Sequence, residues 1–204
     1  MRIVHISDTH GKHRLLQNLP PAEVFIHSGD VSNIGSENEI MDFLEWFVEL
    51  PYKYKIFVAG NHDYGLRGAS IDGLPENCFY LCNSAVTIEG LKFYGVPLFM
   101  DDITEGDLDN SIRKIPADTD VLITHQPPHN ILDFADNINY GDSILLQTVL
   151  KIKPTFHFFG HIHSAYGIKK NNSTTFVNAA ILNEYDELVH KPVLVELPDI
   201  IHNH

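Results

Sequence analysis

The sequence predicts an α/β fold with two β-sheets, and three observations carry that expectation. Five short runs rich in β-branched and aromatic residues, at 3–7, 24–28, 55–59, 121–124 and 156–159, each end by releasing Asp, Asn or His side chains. That is how a buried strand opens into a functional loop. The first sixty residues alternate strand, helix and strand, which implies a right-handed crossover and parallel pairing. The middle of the chain changes to closely spaced short strands, which predicts a second, more antiparallel sheet.

In order, residues 2–7 read as a strand, Asp8-Thr9-His10-Gly11 as the turn after it, and residues 12–19 as a short helix halted by Pro20-Pro21. Residues 23–28 are the second strand, with Gly29-Asp30 at its end. Ser36 and Glu39 are spaced as a capping box. Ile40, Phe43, Leu44, Phe47 and Val48 then recur at helical spacing through residues 37–50, and Pro51 stops the helix. After the third strand, Gly60-Asn61-His62-Asp63 leads into residues 64–77, a loop with at most one helical turn. Residues 78–81, 84–89 and 91–96 read as strands, 101–114 as loop plus helix, and 120–124 as a strand followed by the rigid Gln126-Pro127-Pro128-His129 loop. Residues 143–152 form a helix, 155–159 a strand, and 166–170, 174–178 and 193–197 the closing strands. No repeat, low-complexity tract or long linker divides the 204 residues, so one domain is expected.

With 44% hydrophobic and 20% charged residues, the composition is that of an ordinary globular protein. A net charge of −13 gives the chain no global reason to bind a nucleic-acid polymer or an anionic membrane. A local metal ion could still draw a phosphate. No apolar run approaches membrane-spanning length, and the first residues run directly into a strand, so a cytoplasmic protein is expected. Cys78 and Cys82 are spaced neither as a zinc pair nor as a disulfide framework, which suits a reducing compartment. Of the 13 histidines, His5, His27 and His157 alternate inside strands and belong to the core or sheet surface. His202 and His204 read as a loose terminus, and His13, His129 and His190 receive no role. Oligomeric state is not legible.

Open α/β sheets place ligand sites at the carboxyl ends of their strands. Gathering Asp8, His10, Asp30, Asn61, His125, His161 and His163 there supplies two carboxylates, an amide oxygen and four imidazoles. Oxygen and nitrogen donors without thiolate favour Mn²⁺, Fe, Zn²⁺ or Mg²⁺. Seven ligands exceed what one catalytic ion takes, and suit two divalent ions with Asp30 between them. If His161 and His163 extend from a strand, alternation points both to one side. A single Asp-x-His or Gly-Asp is commonly only a turn; five such strand endings together are not. Tyr64, Arg67 and Asn178 are candidate substrate contacts.

Asp8-x-His10, Gly29-Asp30, Gly60-Asn61-His62-Asp63, His125 and Gly160-His161-x-His163 together resemble the signature of the calcineurin-like metallophosphoesterase superfamily. The phrases at 6–10, 50–52, 54–62, 125–128 and 174–179 resemble its small metallophosphoesterase-domain-containing, Icc-like phosphodiesterase branch. The resemblance implies a four-layer α/β/β/α sandwich with two mixed sheets. It implies two divalent ions, Mn²⁺ foremost, with Fe, Zn²⁺, Ni²⁺ or Mg²⁺ as alternatives. Asp8, His10, Asp30 and His163 would hold one ion, and Asp30, Asn61, His125 and His161 the other. It further implies hydrolysis of small phosphodiesters, cyclic nucleotides included, by a metal-bridging hydroxide, with His62 as general acid oriented by Asp63. An animal member of that branch has Gly where this chain keeps His161. The alternatives are a phosphomonoesterase (a nucleotidase or phosphoprotein phosphatase) and a non-catalytic scaffold of the same fold.

Overall fold

A computed structural model describes residues 1–197; His202 and His204 lie outside the described residues. The strands are β1 (Arg2–Ile6), β2 (Val24–His27), β3 (Tyr54–Phe57), β4 (Cys78–Tyr80), β5 (Ser84–Ile88), β6 (Leu91–Val96), β7 (Val121–Thr124), β8 (Phe134–Ala135), β9 (Ile138–Asn139), β10 (Phe156–Phe159), β11 (Gly167–Lys170), β12 (Thr175–Asn178) and β13 (Val193–Glu196). The helices are α1 (Glu37–Glu49), α2 (Met100–Glu105), α3 (Asp107–Arg113) and α4 (Ser143–Ile152). The first sheet has the order β13-β1-β2-β3-β4, parallel except for β13. The second has the order β11-β12-β10-β7-β6-β5. Its interior is parallel, and only its β5 and β11 edges are antiparallel. Of the expected antiparallel meander only β5–β6 remains, at an edge, because β4 joins the first sheet parallel to β3 and β6 pairs in parallel with β7 across the α2–α3 crossover.

Alternation along the strands produces the layers. Ile3, Ile26 and Ile56 of the first sheet meet Phe93, Val121, Ile123, Phe158 and Val177 of the second in a core between the sheets. Their neighbours Val4, Phe25 and Phe57 turn outward onto Phe43, Leu44 and Phe47 of α1. Tyr94, Leu122, Phe159 and Phe176 turn outward onto α3 and α4. The result is a four-layer α/β/β/α sandwich. At about 25 cal/mol per Å² of apolar surface, these three interfaces supply the main driving force for folding.

Residues 12–19 form only a 3-10 turn, His13–Leu15. Lys12 offers no side-chain acceptor as N-cap, and Asn18 turns left-handed at φ 57°, so a helix is never nucleated. The acidic 101–114 stretch holds two short helices joined at Gly106. The β8–β9 hairpin was not expected. Both cysteines are free. No helix among the described residues is long and apolar enough to cross a membrane.

The sheets are joined at the carboxyl ends of their strands. Ser7, just past β1, donates its N–H to Ala179 O (2.9 Å) and accepts at its carbonyl from Ile181 (2.9 Å). Leu98 donates to Ala59 O at 3.1 Å, closing the other side of that rim.

Candidate metal centre

The loops after β1, β2, β3, β7 and β10 converge on this rim, and the backbone there leaves regular geometry. Asp8, His10, Asp30 and His161 all lie in the left-handed region, at φ 56°, 42°, 55° and 70°. Such a conformation costs roughly 1–3 kcal/mol per residue and persists where the surroundings hold it in place. Two glycines make the convergence possible. A Cβ at Gly60 would overlap the Asp30 carboxylate, and one at Gly160 would overlap Asp8 Oδ2 and Ser7 Oγ.

Among the described residues the side chains form three clusters with ligand atoms within 4.8 Å of one another: Asp8, His10 and His163 make one, Asp30, His125 and His161 another, and His10, Asp30 and the exposed His62 a third that joins them. His163 Nε2 lies 3.4 Å from Asp8 Oδ1 and 3.4 Å from His10 Nε2. Asp30 Oδ2 lies 3.3 Å from His125 Nε2 and 3.7 Å from His10 Nε2, so one oxygen faces both clusters. Asn61 Oδ1 stands 3.1 Å from His125 Nε2. Ligands about 2.0–2.2 Å from a shared ion stand about 3–3.5 Å apart, which these separations approximate.

Hydrogen bonds on the far side of the rings assign the tautomers. His125 Nδ1 donates to Ser28 O (2.9 Å) and His163 Nδ1 to Asn183 O (3.0 Å), which aims each Nε2 lone pair inward. In that neutral tautomer the inward groups are lone pairs facing lone pairs and carboxylates, an arrangement that cations resolve; without an ion the carboxylates instead keep a proton on His125. The residues therefore fit a dinuclear centre. Burial works against ionising Asp8, yet the His163 hydrogen bond and the charges of His125, His163 and His10 hold its carboxyl well below the usual range. Burial would lower His125, but Asp30 and Asp8 lift it to about 9. Burial and His125 together lower His161 to about 4.

Several expected roles are not what the structure places there. Asp63 does not orient the His62 ring: its buried carboxylate accepts from Ser32 N (2.9 Å), Ser32 Oγ (2.6 Å), Gly60 N (2.9 Å) and Val31 N (3.1 Å). It thereby ties the loop after β2 to the loop after β3. Burial and the charge of Asp30 raise it to about 6 against those donors. The exposed His62 ring is held instead by Asn33, whose carbonyl accepts from Nδ1 at 2.7 Å. Arg67 and Tyr64 do not reach the centre. Arg67 binds Asp102 (3.0 Å), Glu105 (3.2 Å) and Asp101 (3.3 Å), and the Tyr64 hydroxyl binds Asp101 (3.3 Å), so both fasten this loop to α2. Asn178 is fully buried and donates to Ile162 O (2.9 Å), bracing the loop that carries His161 and His163. Nor are those two histidines strand residues, since β10 ends at Phe159 and His163 opens a 3-10 turn.

His5, His27 and His157 are fully buried behind the site and hydrogen-bonded to Ser28 Oγ (2.7 Å), Thr9 Oγ1 (2.9 Å) and Thr124 Oγ1 (2.9 Å). Sequence reasoning missed Asn33, Asn183 and Asp186. The first two act through backbone carbonyls and leave no side-chain signature. Asp186 sits in a polar turn that places it in the cleft.

The profile described as Calcineurin-like phosphoesterase matches residues 1–165. The chain belongs to that family. Calcineurin-like phosphoesterases use a dinuclear divalent metal centre, which makes this chain a metal-dependent phosphoesterase by membership. It is 34% identical over 232 residues to the human metallophosphoesterase domain-containing protein 1, covering 97% of this chain and 71% of that one. It is 36% identical over 229 residues to a UPF0046 protein of Caenorhabditis elegans, covering 97% and 81%. Among solved structures, one chain aligns at a TM-score of 0.60 with 13% identity, covering 96% of this chain and 98% of its own. GAP50, described as the anchor in the inner membrane complex of Plasmodium, aligns at 0.50 with 13% identity, covering 89% and 71%. At such identities these two speak to the fold alone.

Proposed function

We propose that this calcineurin-like phosphoesterase hydrolyses small phosphodiesters, cyclic nucleotides among them, with Mn²⁺ as the first choice of ion. The observation that carries the diester reading is the make-up of the cleft. It has a volume of about 180 Å³ and is lined by His10, Asp30, Asn33, Asn61, His62, His161, His163 and Asp186, with no Lys or Arg among them. A monoester is a dianion near neutral pH and calls for basic residues beyond the ions. A diester is a monoanion and tolerates the Asp186 carboxylate. The cleft is also below the usual 300–1,000 Å³ of enclosed ligand sites, so it favours a phosphate whose substituents extend outward.

Bound there, the ions would supply the charge that attracts the phosphate and the Lewis acidity that makes a nucleophile of water near neutral pH. Asp8, His10, Asp30 and His163 would hold one, and Asp30, Asn61, His125 and His161 the other. His62 supplies the proton. Its Nδ1–H is committed to Asn33 O, so as an imidazolium it donates from Nε2 to the departing ester oxygen and is left as the correct neutral tautomer. Asp63 keeps that loop in register with Asp30, whose Oδ1 accepts the His62 backbone N–H at 2.9 Å.

Turnover of bis(p-nitrophenyl) phosphate against p-nitrophenyl phosphate, with Mn²⁺, Fe²⁺, Zn²⁺, Ni²⁺ and Mg²⁺ in turn, tests this. A kcat/KM at least tenfold higher for the diester is expected. A preference for the monoester would overturn the diester reading, and no turnover with any ion would favour a scaffold.

A further inference from the structure

We infer that a second cleft, between the β8–β9 hairpin and the turn at 183–186, is the seat of the alcohol that the diester retains, and that Tyr140 is its specificity-determining residue. The proposal rests on the diesterase reading above. This cleft has a volume of about 230 Å³ and is lined by Ala135, Asp136, Tyr140, Ile162 and Glu184, together with His161, His163 and Ser164. It shares His161 and His163 with the phosphate cleft, so the two adjoin at the ligand loop.

The direction follows from the acid. The departing oxygen must face His62, beside Asn33 and Asn61. The attacking oxygen stands in line with it, so the retained substituent is equatorial and leaves the phosphate sideways, and the second cleft adjoins the first through His161 and His163.

The wall is built rather than incidental. Asp136 and Asn137 both have positive φ, at 49° and 62°, the pattern of a tight two-residue hairpin turn between paired Ala135 and Ile138. Asn139 Nδ2 donates to Asn130 Oδ1 at 2.8 Å. Tyr140 is fixed at both backbone groups: its N–H donates to Asp133 O (3.0 Å), and its carbonyl accepts from Gln126 Nε2 (2.7 Å). Gln126 directly follows the ligand His125, so the tyrosine is referenced to the metal centre. The residue is nonetheless 42% exposed. An aromatic residue whose backbone is fixed and whose ring is left open beside a reactive centre is suited to stack on a planar group.

The rest of the lining narrows the class. Ile162 and Ala135 give an apolar floor, while Asp136 and Glu184 give two exposed carboxylates. Carboxylates accept hydrogen bonds from hydroxyl and amino groups and repel a further phosphate. The fitting substituent is a neutral, flat, ring-bearing alcohol that carries donors, and a nucleoside has all of these features.

Two diesters with a common leaving group test the proposal: thymidine p-nitrophenyl phosphate and methyl p-nitrophenyl phosphate. The Mn²⁺-loaded protein is expected to show a kcat/KM roughly tenfold or more higher for the thymidine ester, in keeping with base–aromatic stacking. Tyr140→Ala should bring the ratio of the two toward one, and Tyr140→Phe should restore it. In parallel, free thymidine is titrated into wild type and Tyr140→Ala and followed by NMR. Millimolar binding lost in Tyr140→Ala is expected. No preference between the esters, a ratio unchanged by Tyr140→Ala, or no thymidine binding to wild type would overturn the subsite. Thymidine binding that depends on Tyr140, with neither diester turned over, would uphold the subsite and overturn the diesterase reading alone.

Discussion

His62 is set apart from the ligands by exposure and by its partner. The inward-facing histidines are buried or half-buried, whereas His62 stands in solvent with Nδ1 on Asn33 O. A group that only moves a proton can be removed without dismantling the cluster. His62→Ala is therefore expected to keep two ions by metal analysis and to lower kcat about 10²–10⁴-fold in steady-state assays. Loss of metal in that variant would show that the ring is a ligand. The ligands themselves were legible because each follows the end of a buried strand, where a polar residue gains nothing from the core. The role of Asp63 was not. Its neighbour in sequence suggested a carboxylate on imidazole, but three of its four donors come from Val31 and Ser32 in the loop after β2, which only the fold brings beside it.

Among the elements, α1 reaches the site through its cap. Ser36 and Glu39 form the expected capping box, and Glu39 also accepts from Asn33 N (3.1 Å) and Ile34 N (3.3 Å). The helix start thus shapes the loop whose carbonyl holds His62. On the other side, Arg67 joins the loop after β3 to α2. Arg67→Leu is expected to speed amide exchange in residues 64–67 and 100–105 while leaving KM for a diester within about twofold. A large rise in KM with unchanged exchange would make Arg67 a substrate contact after all. Its engagement was hidden in the sequence because Asp101, Asp102 and Glu105 lie more than thirty residues away. The β8–β9 hairpin was hidden for another reason. Its strands have two residues each, too few for alternation to register, and Asp136-Asn137 lacks the glycine that usually marks such a turn.

Across the whole molecule, two sheets were legible from the strand runs and the four layers from the family resemblance, while the parallel interior of the second sheet was not. Short apolar strands read alike in either pairing, and only the α2–α3 crossover decides it. Alternation along the strands buries three histidines. Burial lowers His5 well below its usual value and takes His27 and His157 to about 3. A buried base with a depressed value needs its neutral form, which is freely available above the unfolded value of 6.5. Stability is therefore lost as the pH falls below 6.5, by about 1.4 kcal/mol per pH unit for each histidine that stays neutral, down to about 3 for His27 and His157. Asp63, raised to about 6, takes up a proton below that value and offsets one of the three. Urea midpoints of the chelator-treated protein are expected to fall steadily from pH 6.5 to 5, and a flat profile would contradict this account of the core.

Asp30 faces both clusters through one oxygen, and everything said of the chemistry depends on that shared position. The most direct measurement is the metal content of Asp30→Ala, loaded with Mn²⁺ beside the wild type and counted by mass spectrometry. Two ions per wild-type chain and loss of both from the folded variant are predicted; two ions retained by Asp30→Ala would show that no shared aspartate holds the pair.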